Sequence, residues 1–202
     1  MSTLSNRSKY LTAFAFLAEV ISGVSNELQN VFSQDGIRMT RHTVFVRKNA
    51  TNAGSSWKVI DENTKKKDGV SSFGDQKLNK NQAVVFDKIA LGFAEGDAEG
   101  QEGALDYSST KAPAVLRNAT LVITQGTREV LEIPVADMVK VTSPTKMEDY
   151  YHDLEGFNLL ADDQEMDWKL VFPSGQVFAP SAAGKQNYIE LRLQGYKTIK
   201  KA

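Results

Sequence analysis

The stretch NYIELRLQGYKTIKKA, residues 187–202, sets Ile189, Leu191 and Leu193 on one side and Glu190, Arg192 and Gln194 on the other. A period of two over such a run describes a β-strand with one buried face. Gly195 interrupts the pattern and reads as a bulge, after which Tyr196–Ile199 resume on a shifted face. A strand of this quality needs partners, and the chain supplies them from residue 40 onward.

Thr40–Lys48 is β-branched and aromatic, and Ser56–Asp61 places Trp57 and Val59 on one face. Ala83–Phe93 is a long apolar run in which Asp87 and Lys88 mark a bulge or a switch of buried face. Leu116–Thr124 and Arg128–Val135 flank Gln125-Gly126-Thr127 and read as a hairpin, the glycine supplying positive φ and Pro134 closing the second strand. Asp167–Phe172 and Tyr188–Ile199 complete the set; Met138–Thr142 or Gln76–Leu78 is a candidate eighth strand. A short helix is expected within Lys146–Leu160. Long polar connections without alternating helices exclude a parallel α/β sheet and favour Greek-key or jelly-roll pairing. The expected fold is mainly β: an antiparallel β-sandwich, a single jelly roll, preceded by one N-terminal α-helix.

That helix is expected over residues 8–32, where Tyr10, Phe14, Leu17, Ile21, Val24, Leu28 and Val31 recur at heptad spacing. Ser5 or Ser8 is its expected cap and Gly36 follows its end. The seam has two readings, packing on its own domain or contact with another subunit. A polar face of Glu19, Ser22, Asn26, Glu27 and Gln29 disfavours a lipid surface. Residues 1–36 are therefore read as an amphipathic assembly arm and residues 37–202 as one β domain.

The 202 residues include no cysteine, 24 Lys or Arg and 25 Asp or Glu, for a formal net charge of -1. Thiolate chemistry and disulfides are excluded, and the balance argues against a general nucleic-acid or membrane binder. No cleaved signal is read at the N-terminus. His42 and His152 have no ligand partner at metal-binding spacing. Ser108-Ser109-Thr110-Lys111 and Ser143-Pro144-Thr145-Lys146 satisfy S-x-x-K without its companion motifs. Ala182–Gln186 lacks the first glycine and the Ser/Thr of a phosphate loop. The acidic runs Glu95–Glu102 and Asp162–Asp167 lack EF-hand spacing and read as solvated loops, with Ca²⁺ a lesser alternative. No catalytic, cofactor or metal site is expected. Lys65–Lys67, and Lys197, Lys200 and Lys201, are small basic groups that blunt a sheet edge or touch nucleic acid non-specifically.

Three stretches carry a resemblance. LNKNQAVVFDKIALGF (78–93), LRNATLVITQGTREVLEIPV (116–135) and WKLVFPSGQVFAPSAAGKQNYIELRLQGYKTI (168–199) resemble, in layout, jelly-roll virion structural proteins of small tailless icosahedral bacteriophages. The resemblance implies a capsid protein made in the host cytoplasm and assembled into the virion. Its partners would be copies of itself, other virion proteins and, at Lys197, Lys200 and Lys201, packaged nucleic acid. The chain would supply one roll, and the family brings no catalytic residues. The alternative is a carbohydrate-binding or adhesin-type β-sandwich with Trp57, Tyr150, Tyr151 or Trp168 on a flat exposed face. A hydrolase using Ser108 and Lys111 is the third reading.

Overall fold

A computed structural model describes residues 2–140, 142 and 144–201. Helices α1 (Ser2–Glu19) and α2 (Asn26–Ser33) precede ten strands. These are β1 (Ile37–Asn49), β2 (Ala53–Gly54), β3 (Ser56–Lys58), β4 (Val84–Gly96), β5 (Thr120–Gln125), β6 (Arg128–Pro134), β7 (His152–Leu160), β8 (Met166–Val171), β9 (Val177–Phe178) and β10 (Gln186–Lys200). All strand pairing is antiparallel, in two four-stranded sheets ordered β1-β10-β4-β7 and β3-β8-β5-β6. The two-residue β2–β9 pair stands apart. With that pair set aside, the sheets read first-eighth-third-sixth and second-seventh-fourth-fifth along the chain. Two interlocked Greek keys in this order make a jelly roll.

Alternation explains the core. Val44, Val46, Ile189, Leu191 and Leu193 of one sheet meet Leu121, Ile123, Trp168 and Leu170 of the other. In β4 the inward residues are Val84 and Phe86 before Asp87, and Ile89, Leu91 and Phe93 after it. One extra residue, Asp87, changes which parity faces the core. The register confirms it: Gln194 lies opposite Lys88, and Gly195 opposite Phe86.

Gly195 itself departs from expectation. Its neighbours do not change face: Tyr196 stays on the outer side with Glu190 and Arg192, and β10 keeps register with β1 from Tyr188 to Lys200. The irregularity belongs to β4, and Gly195 is the position at which the bulged β4 backbone comes close.

The eighth strand is also placed differently. Among the described residues neither Met138–Thr142 nor Gln76–Leu78 forms one: Met138 ends a helical turn, and Lys77 and Leu78 make only isolated bridges. Val141 and Ser143 lie outside the described residues. The missing strand is β7, where a helix was expected; only Met147–Tyr150 turns, as 3₁₀. Between Asn158 and Asp153, β7 skips past a single β4 residue, with Glu155 at φ 57°. That detour scrambles the alternation that would have marked it.

The helical region is two helices. Val20–Ser25 is rich in β-branched residues, serine and glycine, all poor helix formers, and carries a 3₁₀ turn at Ile21–Gly23. Ser5 and Ser8 fall inside α1, which begins at Ser2, so neither is its N-terminal flanking residue. Ser25 is the effective cap, accepting from the Leu28 amide at 3.2 Å. Both helices lie on the outer face of the β1-β10-β4-β7 sheet, where Leu17, Val24 and Leu28 pack with Ile37, Met39, Val85 and Leu159. Tyr10, Phe14, Ile21 and Val31 pack against the same cluster. The heptad seam is thus spent on its own domain.

Two polar latches hold the helices down. Lys9 pairs with the buried Asp87 that the β4 bulge turns outward. Asp162, fully buried, accepts from the Ser25 amide at 2.9 Å, the Ser25 hydroxyl at 2.6 Å and the Asn81 amide at 2.7 Å. Asp162→Ala strands these donors and is expected to cost about 1–3 kcal/mol. Faster hydrogen exchange confined to α2 and its approach would show it; protection unchanged from wild type would refute the latch.

Candidate functional site

Two polar assemblies stand out, both built on β1 and β10. The first lies on the outer face beyond the helices. Glu190 faces Arg47 across the strand pair and Gly92 across the other. Arg47 donates to Glu190 Oε1 from Nε at 2.8 Å and lies 2.7 Å away through Nη2. The Tyr150 hydroxyl donates to Oε2 at 3.0 Å, and Arg192 stands 3.9 Å off. The Arg47 guanidinium also lies 5.0 Å from the Tyr107 ring centroid and donates to the Gly69 carbonyl at 2.8 Å. Gly92 makes room: a Cβ there would sit 2.8 Å from Tyr107 Cβ and 2.9 Å from the Tyr150 hydroxyl. Burial pushes the Tyr107 and Tyr150 hydroxyls well up from the usual tyrosine range, so both stay protonated. A nearly buried carboxylate held by Arg47 and Tyr150, with Arg192 close by, serves as an anchor for the loops that carry Tyr107 and Tyr150.

The second assembly is a cleft of about 410 Å³ at the free end of the β1–β10 ribbon. On one side His42 lies two residues from Thr40, which faces Lys197 across the ribbon. On the other runs the 65–82 connection, bringing Lys65, Lys66, Asp68, Ser72 and Asp75 to the rim. That connection covers the β1 edge: the Ser72 amide donates to the Phe45 carbonyl at 3.0 Å and the Arg47 amide to the Val70 carbonyl at 2.8 Å. Lys65 is tied to Asp75 at 3.1 Å. Burial first, then Lys197 and Lys66, lower the His42 pKa, so the imidazole is neutral at pH 7.

The remaining expected residues are scattered. Lys201 pairs with Asp35 at 2.9 Å, and Lys200 is exposed at the end of the ribbon. Lys197 alone of the terminal lysines lines the cleft. His152 sits in β7, opposite Ile89. Ser108 lies 2.8 Å from the Thr110 hydroxyl beside an exposed Lys111, and Ser143 is outside the described residues. In the acidic loop, Glu95 accepts from the Ser181 amide and hydroxyl at 2.8 Å, and Asp97 pairs with Lys185. Among the described residues no three His, Asp or Glu side chains gather to hold a metal ion. Of the aromatics expected on a flat exposed face, Trp168 is in the core at 0 % exposure, Tyr151 is buried, Tyr150 is engaged with Glu190, and Trp57 is half-buried with the Lys48 ammonium 5.4 Å from its ring centroid.

Sequence reasoning missed Glu190 as a buried ion and the union of Lys66 with Lys197. Only the pairing of β1 with β10 and the return of the 65–82 segment bring these together, and no local spacing encodes either. Comparison with family models, with curated proteins and with solved structures finds no match.

Proposed function

We propose that the chain is a virion structural protein, a capsid subunit that self-assembles into an icosahedral shell of a small tailless bacteriophage. The observation that carries the reading is the jelly-roll strand order, first-eighth-third-sixth against second-seventh-fourth-fifth, closed within one chain. A sandwich that completes its own core is a stiff block whose loops and edges remain free for neighbours. Fold alone does not assign a task, so the reading also draws on the layout resemblance of residues 78–93, 116–135 and 168–199.

The contact surface of such a subunit is not the heptad seam, which would have to leave its own sheet first. It is the opposite side of α1, where Leu11 is 57 % exposed, together with the loops and the exposed Val171 and Val177. Burying these against a neighbour yields about 25 cal/mol per Å² of apolar surface. Negative-stain images of the purified protein at high concentration are expected to show closed particles or regular oligomers. A strict monomer in sedimentation across the same range would overturn the proposal.

A further inference from the structure

We infer that the cleft between the β1–β10 ribbon and the 65–82 connection binds the phosphate groups of a nucleic-acid strand through Lys66, Lys197 and His42, with Arg38 farther along the same side of β1. Three observations converge. Strand alternation puts Arg38, Thr40 and His42 on one side of β1, and the β1–β10 register adds Lys197 and Ile199 to that side. No carboxylate lies within ion-pair reach of Arg38, Lys66 or Lys197 among the described residues, whereas Lys65, Lys77, Lys80 and Lys201 are each paired. The cleft is concave and about 410 Å³, enough to seat a phosphodiester.

The charged groups facing His42 are Lys197 from β10 and Lys65, Lys66, Asp68 and Asp75 from the connection. Asp75 is engaged with Lys65, and with Asp68 also at the rim it is burial first, then Lys197 and Lys66, that hold the imidazole neutral. A phosphate drawn in by those lysines cancels their repulsion and favours the protonated imidazole, which then becomes a third donor. The site is therefore self-reinforcing: the anion raises the proton affinity of the ring that binds it. The inferred contacts are to phosphates, which carry no sequence information, so binding is expected to be independent of sequence. The source of the strand, a packaged genome, rests on the shell reading above.

Anisotropy of a fluorescein-labelled oligothymidylate, titrated with the full chain, tests the site. Binding should weaken as salt rises from about 50 to 200 mM, with a logarithmic slope of about -0.7 per phosphate contacted. Lys66→Glu with Lys197→Glu should weaken it by roughly tenfold or more and flatten the slope by about 1.4. The charge-matched Lys58→Glu with Lys111→Glu, both away from the cleft, should leave it nearly unchanged. In NMR titrations the His42 pKa should rise when the oligonucleotide is bound. Equal losses in the two double variants, no binding at low salt, or binding with His42 unmoved would each overturn the inference. Particles that form without binding the oligonucleotide would sink this site and spare the shell; binding by a strict monomer would do the reverse.

Discussion

Gly195→Ala is expected to be strongly destabilising, although it adds a single methyl group. A Cβ at this position would stand 2.0 Å from the Val85 carbonyl oxygen and 2.5 Å from Phe86 Cα. Both are backbone atoms of a central strand, and neither can rotate away. Relief requires β10 and β4 to separate where the Asp87 bulge has brought them together, which would also disturb Val84, Phe86 and Leu193 in the core. The cost is expected at or above the upper end for overpacking, about 3 kcal/mol, a large part of a domain's total of about 5–15 kcal/mol. Gly156→Ala is the matched control, since the nearest atom to its Cβ is 4.0 Å away. Urea midpoints of the two variants decide the matter. If Gly195→Ala unfolds at the same urea concentration as Gly156→Ala, the close approach of β4 is not what requires glycine.

How much of this was written in the sequence depends on how local the cause is. The β5–β6 hairpin was readable because two alternating runs meet at Gly126, which does take positive φ at 59°. The terminal strand was readable for the same reason, and Asp87 correctly marked the face switch in β4. Where a local signal has a remote cause, the reading failed. Gly195 was seen as a break in its own strand, but its requirement comes from a bulge in another. β7 was hidden because the detour at Glu155–Phe157 spoils its period, and the detour serves to place Phe157 against Phe16 of α1, 5.8 Å between ring centroids. The heptad seam included the buried Leu17, Val24 and Leu28 and the partly buried Tyr10, Phe14, Ile21 and Val31, but it missed the fully buried Ala13 and did not say what would bury them. The lysines of the cleft were both noticed, yet in separate groups, because only the return of the 65–82 segment over the β1 edge unites them.

Glu190→Ala is the second substitution expected to be severe, and it bears on why an ion sits in a sheet that could have been apolar. The Glu190 side chain is 3 % exposed and that of Arg47 is 21 % exposed. Removing the carboxylate leaves the Arg47 guanidinium and the Tyr150 hydroxyl without their acceptor, with Arg192 close by as an uncompensated like charge. Breaking a buried pair from one side costs about 3–5 kcal/mol, and the partial exposure of Arg47 argues for the lower part of that range. Glu190→Gln, which keeps an acceptor, should lose less. Arg47→Met with Glu190→Leu should recover much of the loss, since an ion pair is often no more stabilising than an apolar pair of similar volume. The network's contribution then lies in geometry: it ties the 102–107 and 147–151 connections to β10 through Tyr107 and Tyr150, at the glycine that leaves room for both. If so, the apolar double variant should approach wild-type stability in urea, short of it by the unpaired Tyr150 hydroxyl, but form irregular particles, because loops that meet neighbours would no longer be held in place. Regular particles from that double variant would show that the network does not set the assembly geometry, whatever its effect on folding.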